Sequence, residues 1–112
     1  MKKQNQVTVK KLPISAQKLR LVADLVREKN LDEAIDMLMF VNKKGALYLR
    51  KALQSAAANM NDLYGLSADK VKVAELMVGE GVTHKRGRAG SRGRWNRILK
   101  RTSQIKLQVE EK

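Results

Sequence analysis

The segment from residue 82 to residue 108 contains no aspartate or glutamate, and nine of its positions are lysine or arginine. Its densest part, residues 84–97, has almost no apolar surface to bury, and its like charges repel one another. Such a segment cannot build a core of its own, so the fold must leave it outside and a polyanion must cover it. Its glycines allow the backbone to pass close to a partner, and each arginine can hold a phosphate at two points.

Charge is distributed unevenly along the 112 residues, which carry a net charge of +13. Six lysines and arginines precede Asp24, the first acidic residue, whereas residues 24–80 carry nine acidic and eight basic side chains. Two basic arms therefore flank a balanced centre that can fold. An excess charge of this size opposes compaction unless a counter-charge is supplied. Nucleic acid is the first candidate for that counter-charge, and an anionic membrane surface is the second.

Residues that the sequence lacks disfavour several classes of function. It has no cysteine for disulfides or thiolate metal sites, and no run of about 18 apolar residues for a transmembrane helix. No apolar signal core follows the N-terminal lysines, so a cytoplasmic protein is expected. His84, the lone histidine, has no nearby carboxylate, and helix capping explains the cluster of Asp32, Glu33 and Asp36. We therefore expect no enzyme, cofactor, metal site or small-molecule substrate.

Three helices are predicted from apolar residues at three- and four-residue spacing. The predicted ranges run from the N-cap Ser15 to near Lys29, from Asn30 to near Asn42, and from about Lys43 to Leu63. Their apolar stripes are Leu19, Val22, Ala23 and Val26; Leu31, Ala34, Ile35, Leu38 and Met39; and Ala46, Leu49, Leu53, Ala57 and Met60. Because the chain has only four aromatic residues, its core is expected to be aliphatic.

Three short strands are predicted from alternating apolar and polar residues, at Val7–Lys10, Val71–Val78 and Ile105–Val109. The alternation slips near Ala74, which indicates a bulge. If the last two strands pair antiparallel, the basic segment between them is the end of a hairpin, projected about 30 Å by arms of roughly nine residues. The predicted fold class is α+β, with three helices packed on a small antiparallel sheet and a long basic β-hairpin projecting from the body.

The whole chain, residues 1–112, is expected to be a single domain. Its body spans about 1–80 and 98–112, and its extended hairpin tip spans about 81–97. The alternative for the tip is a disordered, solvated basic loop. In the functional interpretation the tip is a phosphate-binding arm, with its arginines as the binding groups: Arg86, Arg88, Arg92, Arg94 and Arg97. Trp95 could stack on a base or sugar, or pack on the base of the hairpin, and both remain open.

Two further basic groups are candidates for the same partner. The N-terminal lysines Lys2, Lys3, Lys10 and Lys11 form either a solubilising tail or a second anionic-partner site. Lys43 and Lys44 oppose the dipole at a helix start, a local cost that facing phosphate would offset.

Three parts of the sequence resemble the family of the bacterial large-subunit ribosomal protein number twenty-two. The segment from Ser15 to Arg27 resembles the signature of its first helix. Asn42-Lys43-Lys44, followed by an alanine-rich helix ending in Ala57-Ala58-Asn59, is similar to its third helix. Gly93-Arg94 and the segment from Arg97 to Ser103 look like its returning hairpin strand. These matches keep their order and spacing along nearly the whole chain.

The resemblance implies a structural constituent of the large ribosomal subunit that binds several domains of 23S ribosomal RNA and aids early assembly. The other implied partners are neighbouring large-subunit ribosomal proteins and, transiently, the nascent peptide. The implied RNA-binding residues are Lys10, Lys11, Ser15, Gln17, Lys18, Arg20, Lys43, Lys44, Arg86, Arg88, Arg92, Arg94, Arg97, Lys100 and Arg101. The implied tip, about Val82 to Trp95, would line the peptide exit tunnel through His84, Lys85, Arg86, Gly87 and Arg88.

The chain departs from the family pattern in its tip. A Pro-Arg-Ala usual in the family is replaced by Ala89-Gly90-Ser91-Arg92, and Trp95 stands where a small residue is usual. On the return strand, Gln104 stands in place of a histidine.

Two other classes of protein also use a basic arm. An architectural DNA-binding protein would need an apolar wedge, for which only Trp95 could serve. A membrane-surface protein would need a basic amphipathic helix, but the basic residues concentrate in a glycine-rich, non-helical segment.

Overall fold

The computed structural model describes residues 3–81, 84–89 and 95–112, with side chains described for residues 3–81 and 101–112. In chain order, these residues form β1 (Gln4–Leu12), α1 (Ala16–Ala23), α2 (Leu31–Met39), α3 (Lys44–Tyr64), a 3-10 turn (Ala68–Lys70), β2 (Val71–Glu80), β3 (His84–Ala89), β4 (Trp95–Lys100) and β5 (Ser103–Glu111). The predicted α+β class, with three helices packed on a small antiparallel sheet, is confirmed.

The sheet of the body has the strand order β1-β5-β2, and both of its pairings are antiparallel. Its central strand alternates strictly: Ile105, Leu107 and Val109 are buried beneath the helices, whereas Lys106 between them is exposed. Because one face of an antiparallel sheet can remain solvated, the helices need to cover only the other face. The buried hydrophobic residues among those described are all aliphatic, as predicted.

The predicted apolar stripes form the core, with one exception. The first and third stripes face inward, and Gly45 brings α1 and α3 close together. A Cβ atom at Gly45 would lie 3.3 Å from a methyl group of Leu19 and 3.4 Å from methyl groups of Ile14 and Val22. The exception is Met39 at the end of α2, which is 58% exposed rather than part of the core.

The first helix ends earlier than predicted, at Ala23 rather than near Lys29. After it, the amides of Leu25 and Val26 donate to carbonyls three residues back, so the chain tightens into turns. Glu28 then adopts a positive φ of 63°, which redirects the chain. Val26 still reaches the core, so the apolar spacing that predicted a longer helix also fits these turns.

Both outer strands of the body contain a register shift. The shift in β2 lies between Val73 and Glu75, so the bulge predicted near Ala74 is confirmed. The shift in β1 lies between Val9 and Leu12 and was not predicted. Each inserts one extra residue into an edge strand beside β5, which bends that strand locally.

The described parts of the basic segment between β2 and β5 are β3 and β4, which form a two-stranded antiparallel ribbon. Its register pairs β3 with β4 from His84 opposite Lys100 to Ala89 opposite Trp95. The chain measures 63 Å along its longest axis and 26 Å and 18 Å along the others, as a projecting hairpin requires. The predicted contacts of Arg92 and Arg94 lie outside the described residues.

Candidate nucleic-acid interface

Of the N-terminal lysines, Lys10 and Lys11 belong to the sheet and Lys3 directly precedes it, whereas Lys2 lies outside the described residues. Lys10 and Lys11 lie in the bulge of β1, and both side chains are exposed, whereas the next residue, Leu12, enters the core. Lys11 has a φ of 60°, a left-handed conformation that costs a residue with a Cβ atom about 1–2 kcal/mol. Lys3 lies 5.8 Å from the ring centroid of Tyr64, whose hydroxyl donates to the carbonyl of Gln4, so the strand is held from its first residues.

A second group of cations meets where α1 and α3 begin. Two adjoining cavities of about 280 Å³ and about 360 Å³ share the lining residues Ile14, Lys18 and Lys44. The first is also lined by Leu21, Lys43 and Gly45, and the second by Pro13, Ser15 and Arg101. We call these two cavities together the basic cleft. None of the described residues that line it is acidic, so its four cationic side chains are not neutralised within it.

Local structure explains why these cations converge. The close approach of α3 to α1 at Gly45 places Lys43 and Lys44 opposite Lys18. The Lys44 ammonium group donates to the carbonyl of Pro13, 3.2 Å away, which ties α3 to the turn before α1. The first turn of α3 contains no acidic residue, and no side chain caps it, so its positive end adds to the potential of the cleft.

Ser15 has a structural role in this cleft. Its hydroxyl oxygen accepts from the amide of Lys18 at 3.4 Å and caps α1, which confirms the predicted N-cap. The hydroxyl hydrogen is still available to donate to a phosphate oxygen. Gln17, also predicted to bind RNA, is exposed on α1 but does not line either cavity.

Arg20 joins α1 to the sheet. Its Nε atom donates to the carbonyl of Val78 in β2 at 3.2 Å, and Arg27 makes the equivalent bond to Leu76 at 3.2 Å. Asp24 forms an ion pair with Arg27. Arg20 is therefore engaged on one side of its guanidinium group, and its remaining N–H groups can still donate.

The hairpin carries the remaining predicted residues. His84, Lys85, Arg86, Gly87 and Arg88 occupy β3, and Arg97 and Lys100 occupy β4. The register places Arg86 opposite Ile98, Gly87 opposite Arg97, and Arg88 opposite Asn96. Basic residues therefore occur along both strands of the ribbon. The cleft lies at the start of two helices of the body, so these two basic regions belong to different elements of the fold.

One exposed cation, Lys106 on the open face of the sheet, was not among the binding residues predicted from the sequence. Lys106 is exposed on β5, between Thr8 on one side and Met77 on the other, according to the strand register. The alternation of β5 could have identified it, because alternation places every second residue on the solvated face.

Among the described residues no cluster of side chains suits a metal ion, and none of the described helices is long and apolar enough to span a bilayer.

An α+β body with a basic cleft and a projecting basic ribbon has the features of the nucleic-acid-binding class of proteins. The family model of ribosomal protein L22p/L17e matches residues 7–110 of the chain. Because the match covers nearly the whole sequence, this chain belongs to that family, and the resemblance in its helices and return strand is confirmed. The family comprises structural proteins of the large ribosomal subunit that bind ribosomal RNA, not enzymes.

Proposed function

We propose that the protein binds 23S ribosomal RNA through three basic regions: the basic cleft, the bulge of β1 and the hairpin. The observation that carries this proposal is the cleft, where Lys18, Lys43, Lys44 and Arg101 converge without an acidic neighbour among its described lining residues. A surface that concentrates cations in this way attracts closely spaced phosphates, and structured RNA supplies them.

Binding in this proposal rests on charge neutralisation and on shape. Each lysine or arginine that meets a phosphate releases condensed counterions, which favours association at low salt. The tight packing of α1 against α3 fixes the backbone positions from which the exposed cations of the cleft extend, so their charges already converge before RNA binds. RNA segments that would otherwise repel one another can then be held together, which is how the protein would aid early assembly of the subunit.

The hairpin has a separate role in the proposal. We propose that it reaches inward along the RNA and lines the nascent-peptide exit tunnel with His84, Lys85, Arg86, Gly87 and Arg88, touching the nascent peptide only transiently. Family membership, the ribbon of β3 and β4 and the 63 Å length of the chain support this role. The chain would act as one RNA-binding domain in the cytoplasm, with no catalytic step.

The cleft is tested by removing two of its charges. We expect the double variant Lys18→Gln/Lys43→Gln to bind a 23S RNA fragment more weakly and to lower the slope of log affinity against log salt by about 2. Filter binding at several salt concentrations measures both effects. Lys70→Gln/Lys112→Gln removes the same charge from exposed positions outside the cleft and serves as the matched control.

Two results would contradict the proposal. One is an equal loss of affinity in both double variants, since that would mean that the cleft lysines act only through the total charge and not through their position. The other is duplex DNA displacing the RNA fragment at equal concentration, which would favour the architectural DNA-binding class. The wild-type affinity itself should fall about 10³–10⁵-fold between 50 and 200 mM salt if 6–10 phosphates are contacted.

A further inference from the structure

One helix of this basic protein is acidic on its exposed side. From Asn30 to Asn42 the chain carries three acidic side chains and no lysine or arginine, although the net charge of the whole chain is +13. Glu33 and Asp36 are both exposed on α2. Among the residues that the structure describes, neither carboxylate forms an ion pair. RNA phosphates would be repelled from this surface, so the partner proposed for the cleft does not fit here.

The same exposed side carries apolar groups. Phe40, which caps the end of α2, is 88% exposed, Met39 is 58% exposed and Met37 is 36% exposed. Single exposed apolar residues are ordinary in soluble proteins, but three within four positions form a patch. The opposite side of α2 already supplies Leu31, Ala34 and Leu38 to the core, so the packing of the body does not require these three side chains.

Helical spacing joins the acidic and apolar groups in one stripe. Glu33, Asp36, Met37 and Phe40 follow the spacing i, i+3, i+4 and i+7, which places them on one face of α2, and Met39 flanks them. Helices that dock through one face use this spacing for their anchors. We call these five residues the α2 stripe. It shares no residue with the basic cleft, the bulge of β1 or the hairpin.

Ordinary helix stabilisation explains only part of this arrangement. Glu33 accepts a hydrogen bond from the side-chain amide of Asn30 at 3.4 Å, and an acid in the first turn favours the positive end of the helix. The capping role expected for all three acids does not extend to Asp36, which lies beyond the first turn, and no capping role requires an exposed phenylalanine at the helix end. The charge beyond the first turn and the exposed apolar groups therefore need another explanation.

We infer that the α2 stripe is a docking surface for a cationic segment of another protein, with lysine or arginine set against Glu33 and Asp36 and an apolar side chain packed on Met37, Met39 and Phe40. The choice of occupant follows from charge complementarity. Carboxylates repel nucleic acid and attract basic protein segments, and a large exposed aromatic residue provides an anchor that a protein side chain can cover.

Methionine methyl groups allow a direct test with the complete chain. The probe is a short synthetic peptide that presents lysine and leucine on one helical face, added to protein labelled with ¹³C in its methionine methyl groups. Met37 and Met39 report on the stripe, Met77 reports on the exposed face of the sheet, and the buried Met60 reports on the core. We expect the signals of Met37 and Met39 to shift and those of Met77 and Met60 to stay in place.

Variants in exposed positions identify the groups responsible without endangering the fold. Phe40→Ala and Asp36→Asn should each weaken peptide binding, by about tenfold for the anchor Phe40. Leu63→Ala is the matched control, because Leu63 is 61% exposed on α3 and lies outside the stripe. A peptide with glutamate in place of lysine should not shift Met37 or Met39.

Four outcomes would overturn the inference. They are an equal shift of Met77, unchanged affinity in Phe40→Ala, a larger shift of Met37 and Met39 with an oligouridine RNA than with the peptide, and loss of the expected specificity for lysine over glutamate. If dilution of the free protein alone moved the same two signals, the occupant would be a second copy of this chain and not a cationic partner segment, which would also refute the assignment.

Discussion

Lys11 lowers the stability of the fold through its backbone conformation, while its side chain adds a positive charge to the surface at the bulge of β1. Its left-handed backbone conformation is unfavourable for a residue with a Cβ atom, yet it places two consecutive lysines on the exterior before Leu12 turns inward. Glu28 has a similar positive φ of 63° at the end of the turns after α1, where we assign it no contact with RNA. The two residues therefore form a natural pair for separating strain from binding.

Glycine at either position should relieve the same strain. We expect Lys11→Gly and Glu28→Gly each to raise the free energy of unfolding by up to about 1 kcal/mol, since the gain is reduced by the greater freedom of glycine in the unfolded chain. Urea denaturation measures this change. Only Lys11→Gly should weaken RNA binding, and Lys11→Gln, which keeps the Cβ atom, should weaken it without the gain in stability. Weaker binding in Glu28→Gly as well would contradict this assignment.

A second residue-scale constraint lies where the hairpin leaves the sheet. The amide of Gly81 donates to the carbonyl of Thr102 at 2.9 Å, and a Cβ atom on Gly81 would lie 2.6 Å from the Thr102 hydroxyl oxygen. A Cβ atom on Gly79 would instead meet the flexible side chain of Gln104, with its nearest atom 3.3 Å away. Only the first contact is too short for any side chain to accept without a shift.

The two glycines therefore predict different responses to the same substitution. Gly81→Ala should lower the free energy of unfolding by about 1–3 kcal/mol, as overpacking commonly does, because Thr102 or the base of the hairpin must move. Gly79→Ala should be nearly neutral, because Gln104 can rotate away. Thermal unfolding followed by circular dichroism compares the two variants. Equal stability of both would show that the base of the hairpin can adapt freely.

At the scale of elements, the central strand of the body and the strands of the hairpin differ in the number of strands with which they pair. β5 lies between two partner strands and beneath the helices, whereas β3 and β4 pair with each other as a two-stranded ribbon. An isolated two-stranded ribbon is only marginally stable in water. The same type of secondary structure is therefore expected to differ strongly in local stability within one chain.

Amide hydrogen exchange of the free protein measures this difference. We expect strong protection in α3 and β5 and none in residues 84–89 and 95–96, because the ribbon opens without unfolding the body. Ribosomal RNA should then slow exchange in the ribbon. Protection of the free ribbon equal to that of α3 would mean that the body, and not RNA, holds it.

The whole molecule is dominated by its positive charge. Within the described part of the chain, two exposed or partly exposed ion pairs, Arg27 with Asp24 and Lys72 with Glu110, favour the folded state, but pairs of this kind contribute at most about 1 kcal/mol each. Repulsion among the remaining charges of a +13 chain acts over longer distances and should outweigh them. The free protein is therefore expected to be less stable at low salt.

Added salt should stabilise the free protein. Raising the ionic strength from 0.01 to 0.15 M shortens the screening length from about 30 Å to about 8 Å, so repulsion across the body weakens. We expect the melting temperature to rise over this range and to rise less in a variant with several lysines replaced by glutamine. Calorimetry measures both, and a melting temperature that falls with salt would mean that the ion pairs dominate.

The apolar spacing was sufficient to predict the helices and the class of fold, because residues such as Leu19, Leu49 and Leu53 have to be buried together. It was insufficient at the end of α1. Val26 is buried both in a continued helix and in the observed turns, so periodicity could not distinguish them. The spacing also wrongly placed Met39 in the core. Met39 is the last residue of the short helix α2, and no other described element covers it there.

The sequence alone determined that the protein has an aliphatic core, a balanced centre and a basic segment that cannot bury itself, because these follow from composition and from the order of charges. Tertiary structure decided where the cations meet. Lys18, Lys43 and Arg101 are far apart in sequence, and only the contact of α1 with α3 at Gly45 and the return of the chain before β5 bring them into one cleft. The basic hairpin segment was visible from its charge, whereas the cleft required the fold, because its charges become a site only through packing.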